Sequence, residues 1–181
     1  CFDTILATLR EKPELIQLAP RLVPQTLVTG GGTGLEGIAA LLRGLAPDSV
    51  LSPALGGVIV GHEVARALGV PFRFAERAGD KLALRRGFEL TPGERVVIIE
   101  DVVTTGKSTL ETAALAESAG AVVVGIGSII DRSGGRHGFT VPFAALLPLD
   151  LPTYDGADCP LCRAGTQAVK PGSRPQSGQA G

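Results

Sequence analysis

The sequence contains no methionine, and residue 1 is a cysteine. Translation begins at Met, so the chain is expected to be processed or to lack its natural start; we read it as missing an N-terminal piece. Nothing at the front resembles a secretory leader, because Asp3, Arg10, Glu11 and Lys12 interrupt any apolar stretch. No apolar run nears the ~18 residues of a membrane span, and the longest candidate, Ala121–Ile130, has ten. Neither sign of charge is in excess: 17 Lys and Arg stand against 18 Asp and Glu, a net charge of -1. That balance gives no reason to expect a nucleic-acid or membrane surface. Three cysteines, an odd number in 181 residues, do not make a disulfide framework, and a reducing cytoplasm is the expected compartment.

What is present describes a globular chain. Hydrophobic residues make up 44% and charged residues 19%, enough to bury a core. One folded domain is expected over residues 1–158, followed by a Cys-x-x-Cys segment and flexible tail over 159–181. Glycine is abundant, 25 of 181, so the backbone must turn tightly or approach something closely in several places.

Hydrophobic patterning predicts a short amphipathic helix over 13–23, a β-prone stretch over 25–29 and a helix over Leu35–Leu45. A short strand over 49–53 leads through Ala54-Leu55-Gly56-Gly57 into a helix ending near Gly69, and a strand follows over 70–75. Residues 76–94 read as loop or hairpin. Arg95–Glu100 is apolar on both faces, the mark of a strand buried in a parallel sheet. The next helix, Ser108–Gly120, is expected to start with Ser108 near its N-cap, Glu111 as capping partner, and to stop at Gly120. Strands over 121–130 and 143–149 complete the pattern. Strand and helix alternate at about 25-residue spacing, which predicts an α/β fold: a doubly wound, mostly parallel sheet flanked by helices. Residues 171–181, rich in Pro, Gly, Ser and Gln, are expected to be a mobile tail.

The chemistry concentrates in Val96–Thr109. A buried strand is expected to deliver Glu100 and Asp101 to its C-terminal edge, where open α/β sheets bind ligands. Val102, Val103, Thr104, Thr105 and Gly106 then turn into a helix beginning with Lys107, Ser108 and Thr109. Amides at a helix N-terminus favour phosphate, and four hydroxyl side chains add donors. Two carboxylates repel phosphate but suit vicinal sugar hydroxyls or hydrated Mg2+. Together these features describe a site for a phosphorylated ribose.

This segment resembles the phosphoribosyl-diphosphate signature of the type I phosphoribosyltransferases: four apolar residues, two acids, two apolar residues, then a Thr/Gly-rich turn. Other segments are similar to the orotate-specific branch. Ser52-Pro53-Ala54-Leu55-Gly56-Gly57 resembles its diphosphate-binding turn, Ile129-Ile130-Asp131-Arg132 its strand end bearing a base-contacting Arg, and Cys159-Pro160-Leu161-Cys162 the tails of bacterial members. The resemblance spans roughly residues 2–163. It implies transfer of phosphoribosyl from its diphosphate to orotate, giving orotidine monophosphate and diphosphate in pyrimidine (UMP) biosynthesis. It further implies Mg2+ carried with the substrate diphosphate near Glu100 and Asp101, and a homodimer. By resemblance, Glu100 and Asp101 hold the ribose hydroxyls and residues 104–109 hold the 5-phosphate, with Val102 and Val103 in the same phosphoribosyl-diphosphate site. Ala54, Leu55, Gly56, Gly57, Arg77 and Lys81 meet diphosphate, and Thr104 and Arg132 orient the base. Lys81 and Asp101 are the expected catalytic residues. A purine-specific transferase and a non-catalytic sensor of phosphoribosyl diphosphate are the competing readings.

The loop before the signature departs from the family pattern of Arg-Lys, a loop Lys and a late His. Here Glu76-Arg77-Ala78-Gly79-Asp80-Lys81-Leu82 stands, no His lies between His62 and His137, and Gly56 occupies a position where some members carry Lys. Residues 73–87 still hold Arg73, Arg77, Lys81, Arg85 and Arg86 against Glu76 and Asp80, and such a loop is expected to close over diphosphate. Gly32–Gly37 fits G-x-G-x-x-G but lacks the acid expected about twenty residues on, so it reads as a glycine-rich helix entry. Gly106-Lys107-Ser108 lacks the earlier glycine of a P-loop. Cys159 and Cys162 form half a zinc site, complete only across a dimer. His62 is expected on a helix surface and His137 on the surface near the base pocket.

Overall fold

The computed structural model describes residues 33–149, 154 and 158–165. They fall in two compact units, one within Ala19–Asp150 and the other drawn from Cys1–Leu18 and Leu151–Gly181. The segments expected over 13–23, 25–29 and 171–181 lie outside the described residues.

Within Ala19–Asp150 the order is α1 (Thr33–Arg43), β1 (Ser49–Pro53), α2 (Gly56–Leu68), β2 (Phe72–Ala78), β3 (Lys81–Leu84), β4 (Arg95–Val103), α3 (Lys107–Ser118), β5 (Val122–Asp131) and β6 (Phe143–Pro148). The strands form one six-stranded sheet in the order β3-β2-β1-β4-β5-β6. All neighbours are parallel except β3, which runs antiparallel to β2. The doubly wound parallel architecture expected from the alternation is the one observed. The second unit contains a single described turn of helix, α4 (Pro160–Arg163).

Alternation along β4 explains the two-sided burial. Val97 and Ile99 face a cluster with Ile38 and Leu42 of α1 and Val60 and Val64 of α2. Val96 and Ile98 face the other way, onto Ala116 of α3 with Leu51, Val123 and Ile126. All four β4 residues are fully buried. Each such side chain contributes roughly 1.5–3 kcal/mol by leaving water, so the strand carrying the acids is the best anchored in the sheet. Among the described residues no helix is long and apolar enough to cross a membrane.

The connectivity places the functional edge. From β1 the chain leaves through α2 toward β2 on one side; from β4 it leaves through α3 toward β5 on the other. Adjacent parallel strands whose exits diverge leave a crevice at their carboxyl ends, where such sheets receive ligands. The expected turn 54–57 and the signature 100–109 flank that crevice.

Three expectations need correction. Strand β4 does not end with the acids but continues to Val103, because Val102 and Val103 keep pairing with Ile130 and Asp131 of β5. The N-cap of α3 is Gly106, with no side-chain cap bond; Ser108 already sits inside the helix. Residues 76–94 do contain a hairpin, but it begins within β2, with a two-residue turn at Gly79-Asp80 between the paired Ala78 and Lys81.

Candidate functional site

Glu100 and Asp101 continue the two faces of β4. Asp101 follows Ile99 toward the N-terminus of α2, and glycine is what admits it. A Cβ on Gly56 would lie 2.6 Å from Asp101 Oδ1, and one on Gly57 would lie 2.8 Å from the Ile99 carbonyl oxygen. The small residues of the 54–57 turn thus let it close onto the end of β4. The Ala54–Leu55 peptide is cis. The Val102 amide donates to Asp101 Oδ1 at 2.8 Å, which holds that carboxylate at the crevice.

Glu100 follows Ile98 toward α3 and is only 7% exposed. It joins Val102, Val103, Thr104, Thr105, Gly106, Lys107, Ser108 and Thr109 in lining a hollow of about 40 Å³. Residues 104–109, expected to hold the phosphate, therefore share one concavity with Val102, Val103 and the first acid of the pair. Gly106 shapes its rim. It adopts φ +76°, and a Cβ there would meet the His137 carbonyl oxygen at 2.7 Å and the Phe139 ring at 2.9 Å. Thr105 Oγ1 accepts from the Lys107 amide at 3.4 Å, and Leu110 N–H reaches Gly106 O at 2.8 Å to start the helix. The remaining first-turn amides of such a helix point back toward the turn.

Burial pushes the Glu100 carboxyl up to about 8, helped by a hydrogen bond to Asp101 and by that residue's charge. Around neutral pH Glu100 therefore holds a proton. Glu100 Oε2 is buried with no hydrogen-bond partner, an oxygen able to accept from a sugar hydroxyl or to meet a hydrated cation. An unfolded glutamate releases its proton near 4.5, so the folded chain binds more protons between that pH and about 8. This group's contribution to stability is full below 4.5 and falls as pH rises through 8. Urea denaturation across that window is expected to show stability declining with pH, and Glu100→Gln is expected to remove that part of the slope.

Arg132 and Thr104 come together through register. Val103 pairs with Asp131, and the Arg132 amide donates to the Val103 carbonyl at 2.7 Å. The two residues expected to orient a base are thus the next ones out on adjacent strands, both exposed. The following loop is tied down by Asp131 Oδ1, which accepts from the Ser133 amide at 2.8 Å.

The cationic hairpin is less free than its composition implied. Arg73 lies 2.6 Å from Glu94, Arg86 makes two 2.9 Å bonds to Glu76, and Arg77 pairs with Glu111 of α3 at 2.7 Å. The side chains of Lys81 and Arg85 make no ion pair or hydrogen bond among the described residues, so the expected group of five reduces to two unpaired side chains, with the charge of Arg85 still acting on Glu76. The opposing acids Glu94 and Glu111 lie outside residues 73–87, which is why counting charge within that window missed them.

Glu111 is accordingly not a capping partner. A Lys107-to-Glu111 spacing of four on one helix was the available signal, and those charges stand 4.0 Å apart. His137 also departs from its expected place on the surface. It is half-buried, stacked on Phe139 at 4.2 Å and edge-on to Phe143 at 4.8 Å, and its carbonyl abuts Gly106. His62 is exposed on α2 as expected, 3.3 Å from Glu63. Gly34 and Gly37 lie inside α1, consistent with a helix entry. Cys159 and Cys162 are free thiols at the start of α4, and no cluster of three or more metal-ligating side chains occurs among the described residues.

A model of the phosphoribosyl transferase domain matches residues 35–137. The chain is 54% identical over 139 residues to the orotate phosphoribosyltransferase of Thermotoga maritima, covering 77% of this chain and 74% of that protein. It is 49% identical over 137 residues to the one from Caldanaerobacter subterraneus, covering 76% and 72%. Among solved structures, the adenine phosphoribosyltransferase of Thermoanaerobacter pseudethanolicus is similar with a TM-score of 0.56 at 26% identity, over 64% of this chain and 78% of that one. The orotate phosphoribosyltransferase of Aeropyrum pernix has a TM-score of 0.52 at 21% identity, over 64% and 70%, a likeness that bears on the fold.

Proposed function

Because the chain belongs to the phosphoribosyl transferase domain family, we propose that it is an orotate phosphoribosyltransferase, a pentosyltransferase of UMP biosynthesis acting in the cytoplasm. The observation that carries this is 54% identity to an enzyme of that name over most of both chains, with Glu100 and the phosphate turn lining one concavity. Purine-specific relatives enter at lower identity, as likenesses of fold.

In the reaction the bond from the anomeric carbon to diphosphate breaks and the bond to the orotate nitrogen forms. Positive charge develops on the sugar between these events, so fixed negative charge beside the ribose lowers the barrier. Asp101, held by the Val102 amide at the crevice, supplies that charge and accepts from a ribose hydroxyl. Glu100 takes the neighbouring hydroxyl with its unpartnered oxygen. The turn 104–107 and the first amides of α3 bind the 5-phosphate, and the hydroxyls of Thr104, Thr105, Ser108 and Thr109 add donors. Ala54, Leu55, Gly56 and Gly57 approach the diphosphate by backbone, the approach that Gly56 and Gly57 permit. Arg77 and Lys81 of the hairpin balance its charge, Lys81 as the unengaged cation that follows the leaving group. Arg132 presents a planar fork to the orotate carboxylate, and Thr104 borders the base.

Magnesium fits this donor set, two adjacent carboxylates with one buried oxygen unpartnered, and Glu100 and Asp101 would hold it together with substrate oxygens. When bound it neutralises diphosphate as that group departs. Leu55 and Ile59, 85% and 77% exposed at the start of α2, form an apolar surface suited to a second copy of the chain in a homodimer.

A panel of bases offered with phosphoribosyl diphosphate and Mg2+ tests specificity. Orotate is expected to be consumed and adenine left unchanged; consumption of adenine instead would assign the chain to the purine branch.

A further inference from the structure

We infer that Glu111 is a positioning residue, which fixes the Arg77 guanidinium beside the phosphate cradle and so links the β2–β3 hairpin to the N-terminal turn of α3. This rests on the reading of Arg77 as a ligand of the substrate's diphosphate. The geometry is specific. Arg77 Nη2 lies 2.7 Å from Glu111 Oε2, while Arg77 Nη1 donates to the Asp80 carbonyl at 3.0 Å. Two separate anchors thus orient one guanidinium beside the hairpin turn, four residues before Lys81. Glu111 reaches the other way to Lys107, the first residue of α3, at 4.0 Å, and Lys107 lines the cradle itself. One carboxylate therefore stands between a hairpin cation and a cradle cation.

Stability does not explain the arrangement. The Arg77 and Glu111 side chains are 41% and 29% exposed, and pairs this exposed add little to folding. The ion pair also lacks an aligned hydrogen bond, since Glu111 Oε2 is buried without a hydrogen-bond partner. Holding a flexible cation in one place before the ligand arrives removes an ordering cost from binding, and a planar fork benefits most when its plane is fixed.

A double-mutant cycle decides the matter, read by calorimetric binding of phosphoribosyl diphosphate with Mg2+ to the full chain and by steady-state kinetics. Arg77→Ala is expected to weaken binding about tenfold, the scale of one charged hydrogen bond. Glu111→Ala is expected to weaken it about fivefold or more, raising KM for phosphoribosyl diphosphate while kcat and the thermal midpoint stay near their original values. The double variant is expected to bind no more weakly than Arg77→Ala alone, because Glu111 acts through Arg77. Glu111→Gln, which keeps an acceptor at the same reach, is expected to recover part of the affinity. Unchanged or tighter binding by Glu111→Ala overturns the inference, as do multiplicative losses in the double variant or parallel losses of kcat and midpoint. Failure of the unsubstituted chain to bind phosphoribosyl diphosphate would instead overturn the family reading of this site, and the inference with it.

Discussion

Replacing Asp101 with Asn is expected to lower turnover by roughly 10²–10³-fold, the scale for removing one preorganised electrostatic group, while shifting the thermal midpoint by only a few degrees. Asparagine keeps the shape that fits against Gly56 and an oxygen for the Val102 amide, so the crevice is expected to stay closed. What it loses is the charge proposed to face the anomeric carbon. A second consequence follows at Glu100. After burial, the bond and charge of Asp101 are what raise that carboxyl, so in the variant it is expected to titrate lower, which NMR of the labelled glutamate would read. Equal losses of activity and stability would mean that Asp101 serves the fold and not the ribose.

The largest effect on folding is expected at Glu94, at the opposite end of β4. It is 8% exposed. Burial alone would raise its carboxyl, but bonds from Ser49 and from the Thr91 amide and hydroxyl, with the charge of Arg73, outweigh that and bring it down to about 2. Thr91 donates twice at 2.9 Å and Arg73 Nη1 approaches to 2.6 Å. One carboxylate thus ties the loop before β4 to β1 and β2. A shift from 4.5 to about 2 corresponds to about 3 kcal/mol. Because the folded value is depressed, this stability is present above pH 4.5 and is lost as pH falls toward 2. Glu94→Gln is expected to lose about 3 kcal/mol at neutral pH and much of the acid sensitivity in that window, both read by urea denaturation. A loss below about 1 kcal/mol would show that the network is worth no more than a surface pair.

These two acids show what the sequence could and could not disclose. Glu100 and Asp101 were legible because they end a run apolar on both faces and precede a Thr/Gly turn, features that are local and obey the two-residue period of a strand. The sheet was legible for the same reason. Glu94 was not, since it sits in an irregular Pro-Gly-Glu stretch and its partners lie 45, 21 and three residues away. Arg73 and Arg77 read as free cations because Glu94 and Glu111 reach them from other elements. His137 joins Phe139 and Phe143 in an aromatic cluster whose spacing follows no regular period, so pattern alone left it on the surface. The N-cap of α3 was misplaced by two residues because Gly106 serves there through a left-handed backbone, while Ser108 offered the commoner signature.

The acid pair and the phosphate turn are the centre of the proposed chemistry, and one measurement bears on them most directly. The chain is incubated with orotate, phosphoribosyl diphosphate and Mg2+, and orotidine monophosphate and diphosphate are quantified together. The expected result is one diphosphate released for each nucleotide formed, dependent on orotate and suppressed in Asp101→Asn. Tight binding of phosphoribosyl diphosphate with neither product formed would contradict it, leaving a sensor in place of an enzyme.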